Sequence, residues 1–467
     1  TCTAGNVSWS WQHSKNNSTR SFQKTFITDL HTSLKGQTLT VTEIQRAAKK
    51  TFAPGLYDLT ELQRDANRRF GFSAKETLNI MQRLYENHKV LTYPRTDSRY
   101  IGADIVPTIK ERLKACSTGP YKKFIPPLLK APIKANKSFV DDKKVSDHHA
   151  IIPTEEPALL EHLSSEERKI YDLVVRRFIS VLYPAFEYEQ TTLKATASGQ
   201  GFIAKGKRVL SPGWKAVYET EDFNDSDDED EFDFQTTQQT LPALKMGDRF
   251  PISNISLKTG KTKPPARFTE ATLLTAMENP VRYMESKDAK ARKTLGETGG
   301  LGTVATRADI IEKLFHSFLI EKKGNELLIS SKGKQLLTLV PEDLKKPELT
   351  AQWEMQLADI AKGKRKETIF LKEIKEYTNT LIGEIRSAEG SFRHDNLTNT
   401  KCPRCGKRML SVNGKNTRLL VCQDRECGYR ETVARLSNAR CPNCHKKMEL
   451  IKKGDDETFV CACGYKE

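Results

Sequence analysis

Eight of the ten cysteines in this 467-residue chain lie beyond residue 400, and they fall in pairs. Cys402-x2-Cys405 is followed by Cys422-x4-Cys427, and Cys441-x2-Cys444 by Cys461-x1-Cys463. A Cys-x2-Cys step puts two thiolates on one tight turn, and a second pair across a hairpin completes a tetrahedral zinc site. The two sets predict two zinc ribbons, residues 401–436 and 437–467, each with a fully ligated, structural Zn²⁺. Segments this small bury little apolar surface, so the metal has to supply most of their folding free energy. Disulfides are the alternative, but the clustering and the polar, signal-free start favour metal in a reducing cytoplasm.

Charge narrows the choice of partner. The formal net charge is +16, and the tail from Lys401 onward carries 15 Lys+Arg against 8 Asp+Glu. A basic ribbon that also presents Tyr429, Phe459 and Tyr465 suits single-stranded nucleic acid, because aromatic faces stack on bases. No apolar run approaches the length of a membrane span, so no membrane partner is expected.

Upstream, the strongest local signals converge on residue 93. Asp58 to Phe70 reads as a helix stopped by Gly71. Ser73-x-x-Glu76 is a capping box, and Leu78, Met81, Leu84 and Tyr85 form the apolar stripe of a second helix. Two helices about a Gly-Phe turn have the look of a helix-turn-helix. The chain then enters Leu91-Thr92-Tyr93-Pro94-Arg95-Thr96-Asp97-Ser98. Proline forces the residue before it into extended backbone, where side chains two apart share a face. Tyr93 and Arg95 therefore make a candidate catalytic pair: a phenol able to attack phosphorus, and a guanidinium able to hold the phosphate under attack. A surface strand with a packed tyrosine is the plain alternative.

Further along, Asp147-His148-His149-Ala150 offers an imidazole for a phosphate or a proton relay, or else is a surface loop. Adjacent histidines without a third spaced ligand argue against a metal there. Ser164-x-x-Glu167 opens a long helix ending before Pro184, and residues 186–262 alternate like antiparallel strands. The acidic run Asp225–Glu231 reads as a solvated loop. Helices resume at Phe268. Gly299-Gly300-Leu301-Gly302-Thr303 then puts a glycine-rich turn before a helix, making Gly302, Thr303, Thr306 and Arg307 candidates for a nucleic-acid backbone, with a simple capped helix as the alternative. No apolar strand precedes this turn, so it is not a dinucleotide fingerprint, and Gly260-Lys261-Thr262 lacks the first glycine of a P-loop. No ATP site is indicated. Leu327 to Leu337 reads as strand then helix, as in a winged helix, and residues 387–400 as a polar linker.

Six segments, in order, resemble the type IA DNA topoisomerases, most of all their topoisomerase III branch. They are Leu56–Phe72, Tyr93–Ser98, Asp147–Thr154, Pro265–Ala271, Gly300–Asp309 and Leu349–Glu354. The resemblance implies a multidomain α+β fold with a toroidal core. Residues 1–52 would be a partial arch or base segment, 53–185 the helical domain bearing the tyrosine, 186–265 the β arch, and 266–390 the helical, winged-helix-like base, ahead of the ribbons. It implies an ATP-independent isomerase: Tyr93 cuts one strand and keeps its 5′ phosphate, Arg95 and His148 stabilise the scissile phosphate, and Thr306 contacts the backbone. It also implies a monomer acting on single-stranded DNA at the nucleoid, with a helicase as candidate partner. The family's Mg²⁺ sits in a Toprim domain, and no Asp-x-Asp follows an apolar strand before Tyr93 here. A piece lacking that domain, inactive alone, is expected. The rivals are a non-catalytic DNA-binding module and a zinc-ribbon nucleic-acid-binding factor; a tyrosine recombinase is a weaker third.

Overall fold

The computed structural model describes every residue except 146, 219–238, 388–395, 415, 425 and 454–455. The acidic run thus lies outside the described residues. The chain divides into two compact units, Thr1–Met277 with Gly302–Asp309, and Glu278–Leu301 with Ile310–Glu467. Among the described residues no helix is long and apolar enough to cross a membrane.

The first unit contains a closed barrel. Its strands are β1 (Cys2–Ala4), β2 (Val7–Gln12), β3 (Thr38–Thr51), β4 (Phe186–Ala197), β5 (Gln200–Ser211) and β6 (Arg249–Ile255), in the order β1-β2-β5-β4-β3-β6. Residues 1–52 and 186–265 therefore close one sheet between them. Closure leaves no free edge, and the interior fills with Trp9, Leu39, Val41, Leu193 and Phe202. The β4–β5 hairpin turns on Ser198 and Gly199, both at positive φ, the conformation a two-residue hairpin loop requires. The opening residues supply β1, β2 and the helix α1 (Lys24–Ser33).

The rest of the unit is helical: α2 (Leu59–Phe70), α3 (Ala74–Glu86), α4 (Ile109–Ala115), α5 (Pro126–Lys130) and α6 (Ser165–Leu182). Asp58 caps α2, Gly71 ends it at φ 72°, and the Ser73/Glu76 and Ser164/Glu167 boxes both form as read from sequence. Leu59, Leu62, Leu78, Met81, Ile170 and Phe178 pack into one core.

A charged cluster is buried beside that core. Arg177 of α6 reaches Asp65 of α2 at 2.8 Å, stacks 4.0 Å over the Tyr57 ring and donates to the Gly55 carbonyl. Tyr57 donates to Asp65 at 2.5 Å, and burial pushes its phenol well above its ordinary pKa. Breaking one partner of a buried pair strands the other's charge. Asp65→Ala is therefore expected to cost about 3–5 kcal/mol in urea unfolding, whereas a paired exchange of Asp65 and Arg177 for apolar residues should cost much less.

In the second unit, helices Ala289–Glu297 and Pro347–Ala361 pack about Leu295, Ala351 and Met284. A hairpin of β7 (Ile320–Lys323) and β8 (Glu326–Ile329) leads into helix Ser331–Leu339, the strand-then-helix order expected of a wing. Gly333 permits this junction, since a Cβ there would lie 2.3 Å from the Leu319 carbonyl oxygen. Helix Glu367–Ser387 follows, then β9 (Leu397–Lys401), β10 (Arg408–Asn413), β11 (Thr417–Cys422), β12 (Arg430–Arg440), β13 (Lys447–Lys453) and β14 (Asp456–Val460). These six make one antiparallel meander. β12 runs through the expected 436/437 boundary, so the two ribbons share a continuous sheet.

Candidate active site and metal centres

Tyr93 and His148 are distant in sequence, and backbone register brings them together. Leu91 stands opposite Pro153 in an antiparallel bridge, Thr92 N donates to the Ile152 carbonyl at 3.0 Å, and Thr154 N to the Val90 carbonyl at 3.1 Å. Further along the same pairing, the Thr96 hydroxyl donates to the His148 carbonyl at 3.1 Å. On its other side the 147–154 segment is fixed by Ile151 N to Tyr57 O and Ala150 N to Tyr100 O. The extended backbone expected before Pro94 is thus one side of a short two-sided clasp.

The consequence is a stacked pair. The Tyr93 and His148 rings lie 4.2 Å apart at 35°, and Tyr85 of α3 meets the Tyr93 ring edge-on at 5.6 Å. Tyr93 is half-buried, while His148 and Arg95 are exposed. Arg95 makes no hydrogen bond or ion pair among the described residues, which leaves its donors available to an anion. The His149 Nδ1 lies 2.8 Å from the Ala150 carbonyl, and burial holds its imidazole below the ordinary value.

Sequence reading missed the groups that hold this loop. Arg99 donates to Asp58 at 2.6 Å and lies 3.4 Å from Glu61. Asp58 also accepts from Glu61 N, and Leu59 N donates to the Thr96 carbonyl. Arg64 pairs with Glu61 as well. Burial opposes ionisation of Glu61, but Arg64, Arg99 and Arg177 prevail and hold its carboxyl below the usual range. The first turn of α2 thus anchors the 93–99 strap. Asp58 stood at the start of the helix read from sequence; nothing in the spacing announced its partner Arg99.

The same helix secures the glycine-rich turn. Gly302 sits at φ 68°, which a side chain would strain, and Thr303 and Thr306 cap one another: Thr303 N donates to Thr306 Oγ1 at 2.9 Å and the hydroxyls are 3.0 Å apart. Gly302, Thr303 and Thr306 are exposed. Arg307 is not. At 3% exposure it donates to Thr60 of α2 at 3.0 Å, so its guanidinium anchors the turn instead of facing a DNA backbone.

The cysteines gather as two sets, Cys402, Cys405, Cys422, Cys427 and Cys441, Cys444, Cys461, Cys463, with all four sulfurs of each within 4.8 Å of one another. Each first pair rides a knuckle turn: Gly406 N donates to Cys402 O and His445 N to Cys441 O, and both turn residues have positive φ. Thiolates so disposed fit a tetrahedral Zn²⁺, which would tie each hairpin to its knuckle. Among the described residues no other three His, Cys, Asp or Glu side chains converge. Four thiolates do not suit Mg²⁺, a hard ion that takes oxygen ligands.

Comparison with known proteins gives the family. A family model described as DNA topoisomerase matches residues 3–372. The chain is 58% identical to DNA topoisomerase 3 of Bacillus licheniformis, over 98% of this chain and 62% of that one. It is 57% identical to DNA topoisomerase 3 of Bacillus subtilis with the same coverage. It therefore spans under two thirds of the length of these curated relatives. Full-length topoisomerase I from Thermotoga maritima shares the fold, with a TM-score of 0.57 at 20% identity over 97% of this chain and 63% of that one. The chain belongs to the DNA topoisomerase family.

Proposed function

We propose that this chain carries the strand-cutting centre of a type IA DNA topoisomerase, with Tyr93 as nucleophile. The observation that carries the reading is the half-buried Tyr93 phenol stacked 4.2 Å from the exposed His148, with an uncommitted Arg95 two residues on. In the reaction the Tyr93 oxygen attacks a backbone phosphorus. The new P–O bond forms as the P–O3′ bond breaks, the phenol proton passes to solvent, and the departing 3′ oxygen takes a proton from solvent to become a hydroxyl. One phosphodiester replaces another, so religation runs by the reverse step without ATP. Arg95 and His148 donate to the non-bridging oxygens, where negative charge builds. Gly302, Thr303 and Thr306 hold the strand's backbone, and Arg307 positions that turn. The zinc ribbons grip single-stranded DNA. The whole enzyme would act as a monomer in the cytoplasm at the nucleoid, with Mg²⁺ as cofactor and a helicase as partner.

Trans-complementation tests this. This chain, the part of a Bacillus relative that it does not cover, Mg²⁺ and a labelled single-stranded oligonucleotide should give a covalent protein–DNA adduct on a denaturing gel, and omission of that part should remove it. Adduct formation by the chain alone would refute the division of labour. No adduct under any combination, despite DNA binding, would favour a non-catalytic module.

A further inference from the structure

We propose that Thr92 and Thr96 are positioning residues: their hydroxyls stand in for main-chain donors that Pro94 interrupts, and Thr96 thereby places the His148 imidazole against Tyr93. The inference rests on the reading of Tyr93 as nucleophile and deepens it.

Register defines what the hydroxyls replace. Leu91 stands opposite Pro153, Thr154 N donates to Val90 O, and Thr92 N donates to Ile152 O. Hydrogen-bonded rungs of an antiparallel pair recur every second residue, so the next two would join 94 to 150 and 96 to 148. Pro94 has no N–H, and the ladder stops there. Ala150 N turns away to the Tyr100 carbonyl at 2.9 Å.

The carbonyls of Ala150 and His148 each accept from a threonine side chain instead. The Thr92 hydroxyl donates to Ala150 O at 3.2 Å, a carbonyl that His149 Nδ1 also meets at 2.8 Å, and accepts from Ile152 N at 3.0 Å. The Thr96 hydroxyl donates to His148 O at 3.1 Å and accepts from Ser98 N at 3.1 Å. A hydroxyl bonded both ways is fixed in direction, and a β-branched side chain has few χ1 wells to move between. Thr96 is only 2% exposed, so water does not compete for its bond.

Placement matters more here than strength. His148 is exposed, and among the described residues it makes no hydrogen bond except the one from Thr96. Without that bond the main chain is next held at Ala150, and the ring stack at 4.2 Å is left to hold the imidazole. Stacked rings can slide past one another, whereas a donor to a phosphate oxygen has to stay within hydrogen-bond reach. Thr96 directly follows Arg95, so one short segment carries the nucleophile, the cation and the anchor of the imidazole.

The test is Thr96→Val, which keeps the side chain's shape and removes the hydroxyl, with adduct formation followed in the trans-complemented system. The rate should fall about tenfold. Thr96→Ser keeps the donor and should stay within about twofold of wild type. Thr77→Val, which removes an equally buried hydroxyl from α3, should leave the rate unchanged. In a His148→Ala background Thr96→Val should cost less than about twofold, since no imidazole is left to place. A second measurement needs no chemistry. In the chain alone, with ¹³C-labelled histidine, the NMR signal that His148→Ala deletes should carry the ring-current shift of Tyr93 and lose it in Thr96→Val. If Thr96→Val melts early, Thr92→Val must still move that signal and slow the adduct about threefold, a smaller loss because His149 shares its carbonyl. An unmoved signal, or a loss just as large without His148, would overturn the positioning role and leave Tyr93 as nucleophile. No adduct from the wild-type chain would instead sink the nucleophile, and an unmoved histidine signal would then sink this inference as well.

Discussion

Replacing Tyr93 with phenylalanine is expected to remove covalent adduct formation while leaving DNA affinity within about twofold. The change deletes one oxygen. The ring keeps its contacts with His148 at 4.2 Å and Tyr85 at 5.6 Å, and Pro94 still fixes the backbone behind it. The clasp at Leu91 and Pro153 is made by main chain and does not involve the phenol. Fold and binding should therefore survive, and the loss falls on chemistry alone. Deleting a covalent nucleophile costs on the order of 10⁶-fold, far below detection on a gel. Measured with the trans-complemented system, adduct from the phenylalanine variant near the wild-type level would show that another oxygen attacks. His148→Ala is a milder companion, since it removes a donor and a stacking partner but keeps the nucleophile; about 10²–10³-fold is expected.

Much of this site was legible before any coordinates, because the signals were local. The helix starts at Ser73 and Ser164 each depend on residues three apart, and both formed as read. The extended backbone before Pro94 is a local steric effect. Non-local pairing was harder. Val7-Ser8-Trp9-Ser10-Trp11 alternates, yet its burial depends on β5, which arrives about 190 residues later. The barrel joins stretches that composition separates, and only closure shows that they are one sheet. Arg307 shows the opposite error. A cation at a helix start looked fit for phosphate, but Thr60, on a helix far upstream, buries it. The stacking of His148 on Tyr93 lay between these cases: the family resemblance put both at one phosphate, and register supplied their contact.

Chelation is expected to unfold the C-terminal sheet and leave the first unit standing. In each set the sulfurs approach in cross pairs, Cys405 with Cys422 at 3.4 Å and Cys444 with Cys461 at 3.3 Å. A disulfide needs about 2.05 Å, whereas sulfurs about 2.3 Å from a shared tetrahedral ion lie nearly 4 Å apart. The fully buried groups around the sites are few: Met409 beside Cys402 and Cys422, and Met448 beside Cys441 and Cys461. Cores so small leave the metal to supply on the order of 10 kcal/mol per site. Excess chelator should thus release two zinc ions per chain and abolish hydrogen-exchange protection from β9 to β14. Cys402→Ser should do the same to the first ribbon and, through the shared strand β12, weaken the second. The barrel and α2–α6, which contain no part of either site, should melt where they did before. Retained protection in the stripped sheet, or no zinc in protein purified without chelator, would mean that the thiols stand together for another reason. The grip on single-stranded DNA follows the same logic: if basic and aromatic residues there act only when the knuckles are held, removing zinc should weaken oligonucleotide binding before it touches the fold that carries Tyr93.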